Sequence, residues 1–556
     1  MAEQEYSIIK GDDLADEPGI GSLTLGGWLR EVCDQHASRE ALVFTENGQR
    51  IVWTYTQLWD RANEVARALL AMGVAKGNRV GVMMTNRPEF LSSVWGAALA
   101  GATPATISTF STPDELEYMV SLSACNVLLL ERNVLKRDFA QVMADVEPDL
   151  ALAGEELWSS KFPFLRHVAC IGESLGKISS WEQFLARGVL TPQSIVDAAS
   201  AAVAPSDPGA IFFSSGSTSR PKGIVNSHRG VALQMWRWRR FYQTGEDART
   251  WSANGFFWSG NFGMAIGTTL TAGGCLVLQK TFDPAEALDI MAREQATMAI
   301  AWPHQWPQLE ACENWNDVDL SSMKYLSPLA GLAKHPTIDV SWHEPVNAYG
   351  NTETFTISSI FESGTPESVS IGSSGRPVPG MIFKIVDPLT GETLPLGGEG
   401  EIAVKGPTLM LGYLGVPLDE TLDSEGFLRT GDGGHVDEEG RLFWKGRLND
   451  IIKTGGVNVS PAEIDSVIRN APGVKFTQTV GMPHDTLGEI VVGCIVMHEG
   501  CSADASDIQS FARQKLASYK VPRVVMFFAE DDIEITGSAK IKTADLKALI
   551  AERLDQ

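Results

Sequence analysis

The chain has 556 residues and a mass of 60.2 kDa, and 44% of its residues are hydrophobic while 21% are charged. This length is too great for one hydrophobic core, so we expect at least two globular domains and exclude a disordered or fibrous chain. A formal net charge of -24 would repel a polyanion over most of the surface, which argues against nucleic acid as a partner.

The seven cysteines are scattered, with no Cys-x-x-Cys pair and no histidine at ligand spacing, which is typical of free, buried thiols. Residues 1–19 are acidic and lack the charged-then-apolar pattern of a secretory signal. No run approaches the roughly 18 apolar residues that a membrane-spanning helix needs. We therefore expect a reduced, cytoplasmic protein without a transmembrane segment.

The first part of the chain alternates between helical and strand-like patterns. Residues 53–74 repeat apolar positions at helical spacing, and residues 78–86 follow as a short apolar strand that ends in a turn. Residues 211–215 predict a buried strand that runs into a Ser/Gly turn, and residues 275–279 predict a strand followed by a helix from Phe282. Alternation of this kind predicts parallel sheets with crossover helices.

The pattern changes between Gly372 and Arg447, where short strand-like runs are cut by Gly and Pro, and helix and strand alternate again afterwards. We therefore predict an α/β fold with a large N-terminal domain and a small α+β C-terminal domain. The large domain is expected to hold two α/β layered subdomains and a small β-rich subdomain. The predicted boundaries are 1–448 for the large domain, with subdomains at about 1–200, 201–371 and 372–448, and 449–556 for the C-terminal domain.

A run of small hydroxyl residues and Gly directly follows the strand of residues 211–213. Such a loop can curl around a polyphosphate and offer N–H and O–H donors, while a lysine adds a point charge. The common P-loop is disfavoured because Pro221 precedes the lysine and Gly223 follows it. A flexible surface turn is the alternative. The candidate phosphate-binding residues are Ser214, Ser215, Gly216, Ser217, Thr218 and Lys222.

Residues 347–353 (NAYGNTE) form a second candidate site segment. The Glu353 carboxylate could hold Mg²⁺ against phosphate oxygens, Thr352 could donate to a phosphoryl oxygen, and Tyr349 could stack on a base. A third segment places Asp432 after a Gly turn, which suits an acid that clasps ribose hydroxyls. Taken alone, residues 347–353 are an ordinary loop as often as a site, and a solvated turn is the better explanation of Asp432.

Two further segments contain lysines, at residues 445–456 and 536–542. The order and spacing of all five segments closely resemble the adenylate-forming superfamily, which includes acyl-CoA synthetases, the adenylation domains of peptide synthetases and beetle luciferases. The resemblance runs from about residue 27 to residue 550. It implies an acid–thiol ligase of the acyl-CoA synthetase branch that acts in fatty acid metabolism, with ATP, Mg²⁺ and coenzyme A.

The resemblance assigns a role to each matched residue. The Ser/Thr/Gly loop and Lys222 would hold the β- and γ-phosphates of ATP. The remaining nucleotide roles are Asn347 on the adenine amino group, Tyr349 and Gly350 at the base, Thr352 on the α-phosphate, Glu353 on Mg²⁺, and Asp432 with Arg447 on the ribose.

The resemblance also implies a mobile C-terminal domain with a hinge at Asn449. Lys540 matches the lysine that bridges the carboxylate and the α-phosphate as they react, so it is the candidate catalytic residue of the first half-reaction. Lys453 matches a lysine that serves the second step in luciferases. Gly455 and Gly456 would let the slender arm of coenzyme A pass close to the backbone.

This sequence departs from the family pattern at three places. Ser219 stands where the family usually has Gly, and Ala539 replaces the Gly before the catalytic lysine. The usual Gly-Ala-Pro segment on the adenine side is represented only by Leu329-Ala330-Gly331. None of the three departures removes a charged group.

Residues 254–261 (NGFFWSGN) contain no acidic residue, whereas relatives that activate amino acids place an Asp there to pair with the substrate ammonium. Trp258 resembles the aromatic gate of fatty and aryl acid ligases. We therefore expect an acid with a neutral, largely apolar acyl chain, such as a medium- or long-chain fatty acid or another largely apolar acid. Residues 236–240 (WRWRR) predict an amphipathic helix that packs its tryptophans inward, rather than a nucleic-acid or membrane surface.

Two alternative functions remain open at this point. A carrier-protein thiol could replace coenzyme A as the acceptor, and a non-catalytic nucleotide-binding regulator could share the fold. The regulator would be expected to lack Glu353, Asp432 or Lys540, and all three are present. A homodimer is possible.

Overall fold

The structure is a computed structural model, and it describes residues 6–214, 221–303, 305–344, 348–448, 450, 452–454, 457–484, 487–516, 520–529 and 543–554. The chain divides into two compact units. The larger unit comprises Lys10–Ile382 and Lys405–Leu428, and the smaller unit comprises Met1–Ile9, Phe383–Val404 and Arg429–Gln556.

An eight-stranded sheet is the centre of the larger unit. The first six strands are parallel neighbours, and the last two are antiparallel. Val127–Glu131 is buried at every position, as expected for a parallel strand covered on both faces. The strands, in spatial order, are Ile178–Ser180, His167–Ile171, Val127–Glu131, Arg79–Met83, Thr103–Thr106, Pro208–Ser214, Lys222–Ser227 and Gly412–Tyr413.

A second, five-stranded sheet of the larger unit is parallel except for its last strand pair. It combines an early hairpin with strands from the middle of the chain. The strands, in spatial order, are Met298–Ile300, Arg249–Ser252, Cys275–Val277, Glu40–Glu46 and Gln49–Thr54. The two sheets confirm the predicted α/β class of layered parallel sheets.

Helices connect the parallel strands, as the 3.6-residue periodicity predicts. The predicted helix within residues 53–74 is Tyr55–Ala71, which begins at a capping box between Thr54 and Gln57. The principal helices of the larger unit are Leu25–Gln35, Tyr55–Ala71, Pro88–Leu99, Pro113–Ser123, Phe139–Val146, Trp181–Ala186, Gln193–Ala201, His228–Tyr242 and Pro284–Arg293.

The smaller unit holds two five-stranded sheets, apart from single residues at some strand ends. One sheet has the order Ile8–Lys10, Ile382–Val386, Gly400–Lys405, Leu428–Val436 and Leu442–Arg447. The other has the order Val457–Val459, Ile452–Thr454, Gly488–Met497 and Val474–His484, and Val524–Phe527 also pairs with Gly488–Met497. Its helices are Pro461–Ile468, Ala505–Arg513 and Thr543–Leu554. Across the described residues, no helix combines the length and the apolar character that crossing a bilayer requires.

The helix His228–Tyr242 confirms the prediction for residues 236–240. Trp236 and Trp238 are buried, at 6% and 4% exposure. Arg237 lies between them in sequence and is also buried, and its guanidinium donates to both carboxylate oxygens of Glu17, at 2.7–3.0 Å, and to the carbonyl oxygen of Pro379 at 2.6 Å. Arg237 therefore connects Glu17, near the start of the chain, with the helix His228–Tyr242 and with the Pro379 carbonyl group.

His228 opens the same helix and is 1% exposed. Its Nδ1 accepts a hydrogen bond from the Leu25 backbone N–H at 3.2 Å, and burial lowers the pKa of the imidazole from 6.5 to about 4. Below pH 6.5 the unfolded chain therefore binds a proton that the folded chain excludes. We expect this residue to lower the free energy of unfolding by up to about 3 kcal/mol as the pH falls from 6.5 to 4.

Urea unfolding of the wild type and of His228→Asn at pH 7.5 and pH 4.5 measures this effect, since the asparagine Oδ1 takes the place of Nδ1 and can still accept the Leu25 N–H. The variant should lose less stability than the wild type on acidification. An equal loss in both proteins would contradict the assignment.

Candidate active site

The two ends of the Ser-rich loop face each other across an antiparallel strand pair. Ser214 is the last residue of Pro208–Ser214, and Lys222 is the first residue of Lys222–Ser227, and the two residues are direct partners in the sheet register. The Lys222 side chain is exposed. The hairpin therefore presents a cationic group at the mouth of the loop that the sequence assigns to phosphates.

The turn that carries Thr352 and Glu353 is held by Asn351, whose Oδ1 accepts the Thr354 backbone N–H at 2.9 Å. The next two residues have left-handed backbone, with φ 46° at Phe355 and φ 81° at Thr356. A β-branched residue in this region is a strained outlier, and such strain is concentrated at functional sites.

Packing around this turn sustains the strain. The Trp238 indole N–H donates to Thr356 Oγ1 at 3.0 Å, and Phe355 is fully buried against Phe212 and Phe262. A Cβ at Gly350 would lie 1.6 Å from the Thr356 carbonyl oxygen, so only glycine fits there. The turn is therefore fixed from three sides.

Tyr349 is 6% exposed, and its backbone pairs with Ser359. This leaves little of its side chain on the surface. The stacking of Tyr349 on adenine stays a prediction. In the atypical adenine-side segment, Leu329 is 92% exposed.

The Glu353 carboxylate is half-buried and accepts a hydrogen bond from the Tyr413 hydroxyl at 2.7 Å. The same tyrosine ring lies beneath the Lys222 ammonium, whose Nζ is 5.0 Å from the ring centroid. The two charged residues assigned to ATP are thus joined through one aromatic side chain.

Residues 254–261 lie next to the Thr352 turn, because the Ser259 hydroxyl donates to Thr352 Oγ1 at 3.3 Å. Aromatic rings line this segment: Trp258 is 5.3 Å from Phe257, and Phe257 is 5.8 Å from Phe110, between ring centroids. Phe110 is 55% exposed, and Trp258 is half-buried. The segment therefore offers an apolar, aromatic surface beside the residue assigned to the α-phosphate.

Two buried side chains at the carboxyl ends of neighbouring strands anchor residues 254–261. The Asn86 amide accepts the Phe256 N–H at 2.8 Å and donates to the carbonyl oxygens of Asn254, at 2.8 Å, and Ser252, at 3.4 Å. The Thr106 hydroxyl donates to the Phe257 carbonyl oxygen at 3.0 Å. In open α/β sheets, ligands bind at this edge of the strands.

In the smaller unit, Asp432 and Arg447 are direct partners on the adjacent strands Leu428–Val436 and Leu442–Arg447. The Arg447 Nε is 3.1 Å from Asp432 Oδ1, and Arg447 also donates to the Thr430 carbonyl oxygen at 2.8 Å. Asp432 is buried while about half of the Arg447 side chain is exposed. The structure thus brings together the two residues predicted to hold the ribose.

Lys453 lies on the strand Ile452–Thr454 of the smaller unit, with an exposed side chain, and its backbone N–H donates to Glu489 at 2.7 Å. Several predicted site residues lie outside the described residues, so their roles stay predictions. They are Ser215, Gly216, Ser217, Thr218, Asn347, Asn449, Gly455, Gly456 and Lys540.

Sequence reasoning missed Asn86, Ser259 and Tyr413 as residues of this site. Asn86 ends the strand-like run of residues 78–86. A polar residue directly after a buried strand indicates a ligand-binding position, and this pattern could have identified Asn86. Ser259 lies within the segment already assigned to the acyl pocket. Tyr413 carries no local pattern that points to nucleotide binding.

The described residues fit Mg²⁺ bound together with ATP. They contain no cluster of three or more His, Cys, Asp or Glu that could hold a metal by itself. Mg²⁺ is usually held by one or two carboxylates together with substrate phosphates and water. The half-buried carboxylate of Glu353, which contacts Tyr413 as Lys222 does, meets that requirement.

Comparison with protein families gives two matches that together cover most of the chain. Residues 29–414 match the AMP-binding enzyme family, and residues 463–540 match the AMP-binding enzyme C-terminal domain. Similar characterised proteins are CoA ligases for different acids. The acyl-CoA ligase sidI of Aspergillus fumigatus is 29% identical, over 100% of this chain and 95% of that protein. The indoleacetate–CoA ligase of Aromatoleum aromaticum is 28% identical, over 94% of this chain and 98% of that protein.

Solved structures show the same fold. The anthranilate CoA ligase AuaEII in complex with anthranoyl-AMP superposes with a TM-score of 0.78 at 24% identity, covering 98% of this chain and 99% of that chain. ATP-bound MatB from Rhodopseudomonas palustris superposes with a TM-score of 0.75 at 25% identity, covering 94% and 98%. These matches confirm the resemblance that the five motifs indicated. The chain belongs to the AMP-binding enzyme family, with both its main and its C-terminal domain.

Proposed function

We propose that this chain is an AMP-forming carboxylic acid–CoA ligase. The observation that carries the proposal is the contact between Ser259 and Thr352, because it joins an aromatic, uncharged acyl surface to the turn assigned to the α-phosphate. The CoA-ligase activities named for the similar proteins support the same reaction class.

In the first half-reaction, a carboxylate oxygen of the acid attacks the α-phosphorus of ATP, and the bond to the bridging oxygen breaks to release pyrophosphate. Lys222 and the Ser-rich loop hold the leaving phosphates, and Thr352 donates to the α-phosphate. Glu353 would hold Mg²⁺, which would supply neutralisation of the phosphate charge. Lys540 reduces the repulsion between the two anions that must meet.

In the second half-reaction, the sulfur of coenzyme A attacks the acyl carbonyl carbon, the bond between that carbon and the phosphate oxygen breaks to release AMP, and the thiol proton passes to solvent. Lys453, Gly455 and Gly456 serve this step, after a movement of the C-terminal domain about Asn449. The movement gates the site and supplies none of the chemical acceleration. A homodimer and a cytoplasmic location remain sequence-based predictions.

The acid carries a neutral, largely apolar acyl chain beyond its carboxylate, and a medium- or long-chain fatty acid is the preferred class. Residues 254–261 carry no charge that could pair with a substrate ammonium. Within the described part of the chain, a Cβ at Gly260 would meet no heavy atom within 4 Å other than its own helix and chain neighbours. Gly260, two residues after Trp258, thus leaves space in this segment, and we propose that part of the acyl chain occupies it.

A panel of acids tests the activity and the substrate class together. Purified protein, ATP, Mg²⁺ and CoA are incubated with fatty, aryl and α-amino acids, with pyrophosphate and AMP release measured and acyl-CoA detected by mass spectrometry. Fatty or aryl acids should give acyl-CoA. Preference for an α-amino acid would contradict the substrate class, pyrophosphate release without acyl-CoA would favour a carrier-protein acceptor, and no pyrophosphate release with any acid would favour the regulator.

Asn86→Ala tests whether residues 254–261 bind the acid. The substitution leaves the buried Phe256 N–H without its acceptor, at a cost of about 1–3 kcal/mol, so we expect the KM for the acid to rise about tenfold. The KM for ATP should not change, and both constants are measured by AMP release.

Asn126→Ala is the matched control. Asn126 accepts the Arg79 N–H at 3.1 Å, at the opposite end of the strand Arg79–Met83 that precedes Asn86. It should lower stability without raising the KM for the acid. Equal KM values for the acid in the two variants would refute an acid-binding role of the segment that Asn86 anchors.

A further inference from the structure

Tyr413 contacts both charged side chains that the family resemblance assigns to ATP and its metal. Its hydroxyl donates to Glu353 Oε1 at 2.7 Å, and its ring lies 5.0 Å from the Lys222 ammonium. The two contacts use different parts of one side chain. A substitution by Phe therefore removes the contact with Glu353 alone, whereas a substitution by Leu removes both contacts.

The backbone around Tyr413 makes the same connection. Residues 410–414, which we call the bridge segment, lie between the strand that leaves the phosphate loop and the Thr352–Glu353 turn. Three of its backbone N–H groups donate to carbonyl oxygens: Met410 to Glu353 at 2.7 Å, Leu411 to Val225 at 2.7 Å, and Leu414 to Gly223 at 2.8 Å. The bridge segment therefore fixes the distance between the two elements, and Tyr413 is placed to orient their side chains.

We propose that Tyr413 is a positioning residue of the nucleotide site, which orients the Glu353 carboxylate toward Mg²⁺·ATP and the Lys222 ammonium toward the phosphates. A hydrogen bond to one oxygen of a carboxylate fixes the direction in which the other oxygen points. An aromatic face under an ammonium restricts a long side chain that would otherwise sample many rotamers. This inference deepens the proposed function and rests on its assignment of Glu353 and Lys222.

Two substitutions separate the two contacts. Tyr413→Phe keeps the ring and removes the hydroxyl, so the affinity for ATP in Mg²⁺ should fall about tenfold while the affinity in EDTA is unchanged. Tyr413→Leu also removes the ring, and it should lower the affinity in EDTA, which Tyr413→Phe leaves unchanged, by roughly two- to fivefold. Both affinities are measured by isothermal titration calorimetry on the full chain.

The larger unit offers a matched control in Tyr325. Its hydroxyl donates to Asp247 Oδ1 at 2.8 Å, and the Lys324 ammonium lies 4.8 Å from its ring centroid, so its two contacts have the same chemistry away from this site. Tyr325→Phe should leave the ATP affinity unchanged in Mg²⁺ and in EDTA. An equal loss of affinity in Tyr325→Phe and Tyr413→Phe would overturn the proposal.

A double-mutant cycle with Glu353→Gln decides whether the hydroxyl acts through Glu353. In the Glu353→Gln background, Tyr413→Phe should cause no further loss of affinity in Mg²⁺. Additive losses would refute the positioning role. The binding measurements need neither the acid nor CoA, so a wild type that binds Mg²⁺·ATP but makes no acyl-CoA would refute the proposed function and leave this inference standing.

Discussion

Lys540→Ala should abolish adenylate formation. The substitution removes the ammonium that stabilises the charge where the carboxylate meets the α-phosphate, and losses of one such group cost about 100- to 1,000-fold in rate. Acid-dependent exchange of labelled pyrophosphate into ATP measures this half-reaction alone. ATP binding by calorimetry should be largely intact, because the resemblance assigns the phosphates to the Ser-rich loop and Lys222.

Two lysine substitutions sharpen this test. Lys542→Ala removes a charge two residues further along the same segment and should leave the exchange rate unchanged. Lys453→Ala should retain the exchange but slow conversion of a supplied acyl adenylate to acyl-CoA, a step that Lys540→Ala should still perform. Normal pyrophosphate exchange in Lys540→Ala would exclude the catalytic role.

Glu17→Gln should destabilise the larger unit by about 3–5 kcal/mol, because removing one partner of a buried ion pair leaves the other charge uncompensated. Both side chains of the Glu17–Arg237 pair have an exposure of 0%. Urea unfolding followed by tryptophan fluorescence reports on this unit, since every tryptophan except Trp444 lies in it.

Asp16→Asn is the control, since Asp16 is the exposed neighbour of Glu17 and its replacement should change stability by at most about 0.5 kcal/mol. Replacing both Glu17 and Arg237 by Met should cost less than Glu17→Gln alone, because no charge then remains buried. If Glu17→Gln unfolds at the same urea concentration as Asp16→Asn, the ion pair does not stabilise the fold.

Local sequence patterns predicted helices whose apolar residues recur at helical spacing. The helix Tyr55–Ala71 follows from apolar spacing and a capping box, and the burial of Trp236 and Trp238 follows from the amphipathic pattern of their helix. The family resemblance, not a local pattern, assigned Asp432 and Arg447 to the ribose, and the structure places them on adjacent strands. The family and its reaction class followed from motif order, which a single strand or helix pattern does not reveal.

Contacts between remote parts of the chain were beyond the same reasoning. Glu17 and Arg237 are 220 residues apart, so a run of three arginines and two tryptophans gave no indication that one arginine is buried. The hairpin Glu40–Thr54 pairs with a strand of the middle region, Cys275–Val277. A local apolar pattern predicts a strand but does not show which sheet the strand joins. Asn86 and Tyr413 likewise act on partners far away in sequence, and only the tertiary structure identifies those partners.

The left-handed backbone at Phe355 and Thr356 has a consequence for laboratory evolution. Each such residue costs the fold about 1–3 kcal/mol, so in a selection for heat resistance this strain by itself would favour residues that adopt the conformation easily. Glycine or asparagine at position 356 would relax the backbone and also release the Trp238 indole. Because the released indole N–H is buried, its lost hydrogen bond costs about 1–3 kcal/mol and offsets the relieved strain. Heat selection should therefore leave this turn unchanged, although the strain is concentrated in it.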